Sequence, residues 1–198
     1  MSRNLCTAEN LFDFFHEHVD AAVSSTGKTV SEDGVYYLSN LLVERGRIPD
    51  DRPPDTLVEL RMQAQEQGGL RAVSTWRELG DKALYESGFF RSSIQRRTVS
   101  VDYYLSMGAT AYDQLAALLR MPGSPSGLES VYAELAGRFS TCSEVLQKVR
   151  DALRAHTHSD ILQLYEEWIA TNNPRAAGRL KELGVVPMRP GRDDPDGC

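Results

Sequence analysis

The feature that most constrains the fold is a long helical periodicity between Val101 and Leu119. Apolar and small residues recur there every three or four positions, which places them along one face of an α-helix. Ser100 precedes this segment and offers a hydroxyl group that can cap the first turn. No segment shows the two-residue alternation of a β-strand, and no repeat of roughly 20 to 50 residues is present. The sequence therefore predicts an all-α protein with this helix at its centre.

Further amphipathic stretches predict seven or eight helices in all, arranged as a bundle-like array. Gly80 and Gly108 lie within these stretches, although glycine destabilises a helix interior by about 1 kcal/mol relative to alanine. Their presence indicates positions where another helix approaches too closely for a side chain. The stretch from Gly88 to Thr98 is expected to be an irregular connection. The expected helices cover approximately residues 7–25, 31–45, 55–67, 70–87, 101–119, 128–153 (one helix, or two broken at Ser140-Thr141), 159–171 and 173–183.

The length of 198 residues fits one domain of ordinary size. A chain of this length buries enough surface to fold without disulfides or a structural metal. We expect a single helical domain over residues 1–186, with Met121–Gly127 as a surface loop inside it because the segment is rich in Pro, Gly and Ser. Residues 187–198 are rich in Pro, Gly and Asp, which predicts a disordered tail.

The charge balance argues against two classes of partner. The net charge is −6, from 28 acidic and 22 basic residues, and binding to phosphates of nucleic acid or to an anionic membrane favours a basic chain. No signal peptide and no apolar run near the ~20 residues of a membrane span are evident. Three distant cysteines predict reduced thiols and no zinc site. We expect a cytoplasmic protein without cofactor or metal, whose partner is another protein or a second copy of itself.

The first candidate site is an interaction loop formed by Phe89, Phe90, Arg91, Arg96 and Arg97. Two adjacent phenylalanines cannot both lie on one helix face, so at least one of them is expected either to cap the core or to serve as an exposed anchor. The arginines can bind a carboxylate or phosphate through paired hydrogen bonds. The alternative is structural, because the same arginines can form ion pairs with acidic residues of the flanking helices, and such surface pairs contribute little.

The second candidate is a polar pocket between helices, lined by His18, Asp81, Tyr104, Tyr112 and His158. Helical bundles hold ligands on inward-facing polar side chains of this kind. The histidines occur as two pairs with one residue between the members, and such positions point about 200° apart on a helix. Neither pair can therefore chelate one metal ion. The structural alternative is a set of core tyrosines whose hydroxyl groups reach the surface.

Several segments together resemble an uncharacterised family of bacterial all-helical proteins. They are Leu79–Phe90 (LGDKALYESGFF), Val101–Tyr104, Met107–Gly108, Ala111–Tyr112 and the closing Leu180–Pro187. The resemblance implies a helical bacterial protein and no particular activity. It also implies that the junction between the fourth and fifth expected helices is the hallmark of the family, either for packing or for function.

Three functions remain open from the sequence. We expect first a non-enzymatic interaction or regulatory module that binds a protein through a helix face or the Phe89–Arg97 loop. The second hypothesis is a small-molecule- or metal-binding bundle, an enzyme or sensor of the heme-oxygenase-like or ferritin-like type. The third is DNA binding through a helix-turn-helix, which the proline loop between the second and third helices disfavours. No common nucleotide-binding or hydrolase motif occurs in the chain.

Overall fold

The structure is a computed structural model that describes residues 8–46, 56–94, 99–120, 127–171, 173–182 and 185. Within these ranges the chain is all-helical and has no β-strand, as the sequence predicts. The described residues form nine helices, rather than seven or eight. They are α1 Ala8–Thr26, α2 Glu32–Gly46, α3 Leu57–Glu66, α4 Gly69–Phe89, α5 Arg91–Ile94, α6 Val101–Leu119, α7 Leu128–Gly137, α8 Phe139–Thr171 and α9 Pro174–Glu182.

The helix count differs because of three boundaries. The region expected to be irregular from Gly88 onward begins as the last turn of α4 and continues as the short helix α5. The expected break at Ser140-Thr141 lies slightly earlier, at Arg138 between α7 and α8. The expected gap after Leu153 is absent, and α8 runs on to Thr171. That stretch contains neither Gly nor Pro, so nothing in it interrupts the backbone hydrogen bonds of the helix.

Side-chain caps set where three helices begin. Ser100 accepts a hydrogen bond from the backbone N–H of Tyr103 at 3.3 Å, which confirms the predicted cap of α6. The cap of α3 is Thr56, whereas we expected Asp55, a residue outside the described ranges. Thr56 and Glu59 form a reciprocal capping box, with hydrogen bonds of 2.7 and 3.2 Å. At α9, Asn173 accepts from the N–H of Arg175 at 3.0 Å.

Two compact units are distinguished, residues 1–150 and residues 151–198. In the first unit, α4 packs against α3 and α6, α6 packs against α7, and α1 packs against α2. Leucines such as Leu79, Leu84 and Leu115 are fully buried there, and each contributes roughly 1.5–3 kcal/mol to folding. The single domain over residues 1–186 stays a prediction, and the tail 187–198 lies outside the described residues.

Glycines allow three helices of the first unit to approach closely. A Cβ atom on Gly80 would lie 2.6 Å from Cδ1 of Tyr112, where α4 crosses α6. A Cβ atom on Gly108 would lie 2.6 and 2.8 Å from two ring carbons of Phe139, at the start of α8. The close approaches inferred from Gly80 and Gly108 are therefore confirmed. Gly88 is a third such position, because its Cβ would lie 2.6 Å from Cβ of Leu146.

The second unit contains the later part of α8 and the helix α9. Ala176 and Leu180 of α9 are buried, and the charged residues Arg175 and Arg179 of the same helix are exposed. None of the helices in the described part of the chain is long and apolar enough to cross a membrane.

Candidate functional site

A buried carboxylate group joins three helices in the first unit. Asp81 lies on α4 and is only 5% exposed. Its Oδ1 atom accepts hydrogen bonds from the hydroxyl of Tyr37 on α2, at 2.5 Å, and from the hydroxyl of Tyr112 on α6, at 2.6 Å. A buried charge is tolerated when polar groups of this kind replace the water it has lost. The two tyrosines therefore make the burial of Asp81 possible.

Arg77 connects this carboxylate to the surface. Its Nε atom lies 3.4 Å from Oδ2 of Asp81, one turn further along α4. Its Nη2 atom lies 3.3 Å from Oε2 of the exposed Glu44. The guanidinium carbon also lies 5.9 Å from the ring centre of Tyr37, in the range of a cation–π contact. Arg77 is thus shared between two carboxylates and one aromatic ring.

Three tyrosine rings enclose the carboxylate. Tyr132 on α7 stands edge-on to Tyr37 at 5.4 Å between ring centres, and it is tilted against Tyr112 at 5.7 Å. Tyr37 and Tyr112 are 6.0 Å apart and also meet edge-on. Such tilted and edge-on arrangements are the favourable ones for aromatic pairs. We call Tyr37, Arg77, Asp81, Tyr112 and Tyr132 the Asp81 cluster.

Burial governs the ionisation of the Asp81 cluster. It raises the pKa of Asp81 above its ordinary value, and the hydroxyls of Tyr112 and Tyr37 and the charge of Arg77 oppose that rise. Burial and the negative charge of Asp81 raise the pKa of both Tyr37 and Tyr112 well above 10.0, so both hydroxyls keep the proton that they donate. The hydroxyls of Tyr37 and Tyr112 both donate to Asp81, whereas the buried Nε atom of Arg77 has an ion-pair contact with Asp81 but no hydrogen-bond partner among the described residues. The arrangement is typical of a structural polar network.

The pocket expected from the sequence is assembled only in part. Asp81 and Tyr112 are in direct contact. Tyr104 is buried on α6, eight residues before Tyr112, which is about 12 Å along a helix axis. His18 lies on α1, where its Nδ1 atom donates to the carbonyl oxygen of Phe14 at 2.8 Å. The side chain of His158 lies outside what the structure describes.

No group of three or more His, Cys, Asp or Glu that could hold a metal ion occurs among the described residues. The convergence of the five expected pocket residues on one ligand stays a prediction. The cluster also contains three residues that were not among the expected site residues, Tyr37, Arg77 and Tyr132. Arg77 carries a recognisable signal, because an Arg four residues before an Asp is a favourable pair on a helix. The ring contacts of Tyr132 are with Tyr37 of α2 and Tyr112 of α6, and no local pattern in the sequence predicts them.

The expected interaction loop is partly a cap of the protein interior. Phe89 stacks on Tyr85 with ring centres 5.0 Å apart, and Phe90 meets the same ring edge-on at 5.7 Å. Arg150 holds the backbone there, because its Nη1 atom donates to the carbonyl oxygen of Phe89 at 2.9 Å. Phe90 nevertheless remains 48% exposed. Arg91 is half-buried in α5, and Arg96 and Arg97 lie outside the described residues.

A groove between α1 and α2 brings exposed aromatic and acidic groups together. Its volume is about 540 Å³. Tyr36 stands at its edge with 57% of its surface exposed, and the ring of Phe12 supports it at 5.1 Å. His16 lies 3.3 Å from the Ser39 hydroxyl and stacks on Phe12. The lining residues are His16, Asp20, Val23, Val30, Glu32, Asp33, Val35 and Tyr36.

The orientation of α1 agrees only in part with its apolar spacing. The helical spacing of Phe14, Phe15, His18, Val19 and Ala22 predicts one inward stripe. Of these residues Val19 and Ala22 are buried, Phe15 and His18 are partly exposed, and Phe14 is 42% exposed. The first half of α1 therefore exposes the ring of Phe14.

Comparison with protein-family models, with curated proteins and with solved structures finds no match for this chain. The resemblance carried by Leu79–Phe90 and its companion segments stays a prediction. Its buried members Gly80, Asp81, Gly108 and Tyr112 all take part in the helix contacts described above.

Proposed function

We propose that this chain is a non-enzymatic protein-interaction module that binds its partner through the α1–α2 groove. The observation that carries the proposal is the combination of an exposed aromatic residue and three carboxylates in one concave surface. Tyr36 is the exposed aromatic residue. Three carboxylates line the same groove without an ion pair to any described residue. They are Asp20, Glu32 and Asp33.

The chemistry of the groove favours a basic and partly apolar segment of another protein. The carboxylates attract a cationic side chain, and the Tyr36 ring offers its electron-rich face to the same cation. Val23, Val30 and Val35 line the groove beneath, where the methylene groups of a Lys or Arg side chain can lie. Exposed aromatic residues beside such a groove are typical of interaction surfaces.

The Phe89–Arg97 loop supports the same function less strongly. Its two phenylalanines already use part of their surface on Tyr85, whereas Tyr36 exposes more than half of its own. We retain Phe90 as a second contact of the same module. The proposal also includes a bundle-like array of helices as the scaffold, a cytoplasmic location, and no binding of nucleic acid. The small-molecule-binding alternative has support from a different groove, among α3, α4 and α6.

Site-specific photocrosslinking in cells of the source organism tests the proposal. A benzophenone amino acid replaces Tyr36 in one variant and Leu70 in a matched control, because Leu70 is 86% exposed at the start of α4 and lines neither groove. We expect a discrete covalent adduct with one polypeptide from position 36 and none from position 70. The adduct should disappear when Asp20, Glu32 and Asp33 are replaced together by Asn, Gln and Asn.

Three results would contradict the proposal. Position 36 yields no adduct, both positions yield the same adducts, or the adduct persists unchanged in the triple variant. Circular dichroism of each variant checks that the helices are retained. The adducted segment is then sequenced, and a segment without Lys or Arg would contradict the proposed chemistry of the partner.

A further inference from the structure

A second groove lies among α3, α4 and α6, away from the residues that line the α1–α2 groove. Its volume is about 470 Å³. A volume of this order is within the range of sites that bind small molecules. The groove is lined by Arg61, Ala64, Gln65, Gln67, Ala72, Trp76, Thr110, Gln114 and Leu118.

The floor of this groove is apolar and fixed. Ala64, Ala72 and Trp76 are all buried, so their side chains are held by the packing of α3 against α4. Two alanines beside a tryptophan leave a shallow apolar surface that a flat or branched hydrocarbon group can cover. A ligand for this groove therefore has an apolar part.

Among the described residues that line the groove, Arg61 is the only charged one. Its guanidinium group makes no ion pair with any described residue. The hydrogen bond it forms within the described residues joins Nη1 to the sulfur of Met107 at 3.8 Å, and a thioether is a weak acceptor. A guanidinium group has five N–H donors in a planar arrangement that matches a carboxylate. Most of the donors of Arg61 are thus available to a ligand.

The uncharged rim adds further donors. Gln67 uses its carbonyl oxygen to accept from the Thr75 hydroxyl at 2.7 Å, which leaves its NH₂ group to donate. Gln65 and Gln114 also line the groove, and both are exposed. The hydroxyl proton of Thr110 is directed to the carbonyl oxygen of Ser106 at 2.8 Å. The described residues of the lining include no Asp or Glu, so none of them repels an anion.

From this arrangement we propose that the α3–α4–α6 groove binds a small organic carboxylate. Arg61 holds the carboxylate group, the glutamine amides donate to its remaining lone pairs, and the apolar part of the ligand lies against Trp76. The site shares no lining residue with the α1–α2 groove. Its test is therefore independent of the proposed interaction with a protein.

Tryptophan fluorescence can test the site because the chain has only two tryptophans. In a Trp168→Phe protein, Trp76 is the sole reporter and lies on the floor of the groove. The probes are benzoate, 3-phenylpropionate and 4-methylpentanoate, each compared with its primary amide at constant ionic strength. We expect at least one carboxylate to give a saturable change in Trp76 fluorescence. Its primary amide should bind more weakly by a factor of about ten or more, because charge-assisted hydrogen bonds are stronger than neutral ones.

Matched arginine variants assign the effect to the groove. Arg61→Gln should weaken binding of the same carboxylate by about tenfold or more. Arg71→Gln makes the same chemical change at an exposed residue of α4 that does not line the groove, and it should leave binding unchanged. The proposal is overturned if none of the three carboxylates saturates, if the amides bind equally well, or if Arg61→Gln binds as the parent protein does.

Discussion

Replacing Gly108 by alanine adds one methyl group at the point where α6 lies against the first residue of α8. The new Cβ atom would lie 2.6 Å from Cε2 and 2.8 Å from Cε1 of Phe139, and closer still to Cζ. Ordinary van der Waals contact begins at 3.4 Å, so the ring or the helix has to move. The ring has little room, because Phe139 is buried and packs against Tyr112 at 5.7 Å.

Two opposing terms set the size of the effect. Forcing an extra methyl group into a well-packed interior costs about 1–3 kcal/mol, and the ring faces Gly108 directly, so we take the upper value. Alanine in place of glycine returns about 1 kcal/mol of helix propensity. The net loss in the free energy of unfolding is then ~2 kcal/mol. With a urea dependence of roughly 2 kcal/mol per molar, the unfolding midpoint should fall by about 1 M.

Urea unfolding followed through Trp76 emission in a Trp168→Phe protein reports on the first unit. Gly137→Ala is the matched control, since among the described residues nothing beyond its chain neighbours and the backbone of its own helix lies within 4 Å of the added Cβ. We expect this control to keep or slightly raise the midpoint. In a double-mutant cycle, Phe139→Leu should offset part of the cost of Gly108→Ala, giving a favourable coupling of about 1 kcal/mol. A Gly108→Ala protein as stable as the parent would refute the close approach of α6 and α8.

Two further predictions concern buried titratable groups. The pKa of Asp81 is raised above 3.8 in the folded protein by burial, so folded Asp81 binds its proton more tightly than unfolded Asp81. The contribution of Asp81 to the free energy of unfolding is full below pH 3.8 and is lost as the pH rises through the pKa of the folded protein. The free energy of unfolding of the parent minus that of Asp81→Asn should therefore decrease from acid to neutral pH. An increase would show that folding favours the ionised form. Burial raises the pKa of Cys142 to about 12, so its thiol is protonated and shielded in the folded protein. In a protein with Cys6 and Cys198 replaced by Ser, the thiol should react with a disulfide reagent only as fast as the chain unfolds. Rapid reaction of the native protein would contradict the burial of Cys142.

Local rules predicted the helices well where the sequence carried a local signal. The stripe from Val101 to Leu119 became α6, and Ser100 became its cap, because periodicity and capping depend on residues a few positions apart. Gly80 and Gly108 indicated close contacts for the same reason, since only a packing requirement explains glycine inside such a stripe. The extent of α8 was missed because a polar stretch was interpreted as a break.

The candidate sites depend on residues that are distant in sequence, and there the local rules were insufficient. Tyr37 reaches Asp81 from α2, and Tyr132 packs on Tyr37 from α7. These helices start at Glu32 and Leu128, on opposite sides of α4 in the sequence, and no periodicity determines which helices become neighbours. The exposure of Phe14 was missed for a related reason, because an apolar stripe indicates a buried face only when a second helix covers it. Both grooves follow from such pairings of helices.

The three close approaches at Gly80, Gly88 and Gly108 have a consequence for how chains of this kind diverge. We expect these positions to remain glycine in related chains, since any larger residue inserts volume into a filled interior. Exposed groove residues such as Tyr36 and Arg61 have no such restriction, whereas Ala64, Ala72 and Trp76 are themselves buried in the packing. Two proteins that share the glycines are thus expected to share a scaffold, and under the two proposals above their binding would differ through exposed residues such as Tyr36 and Arg61.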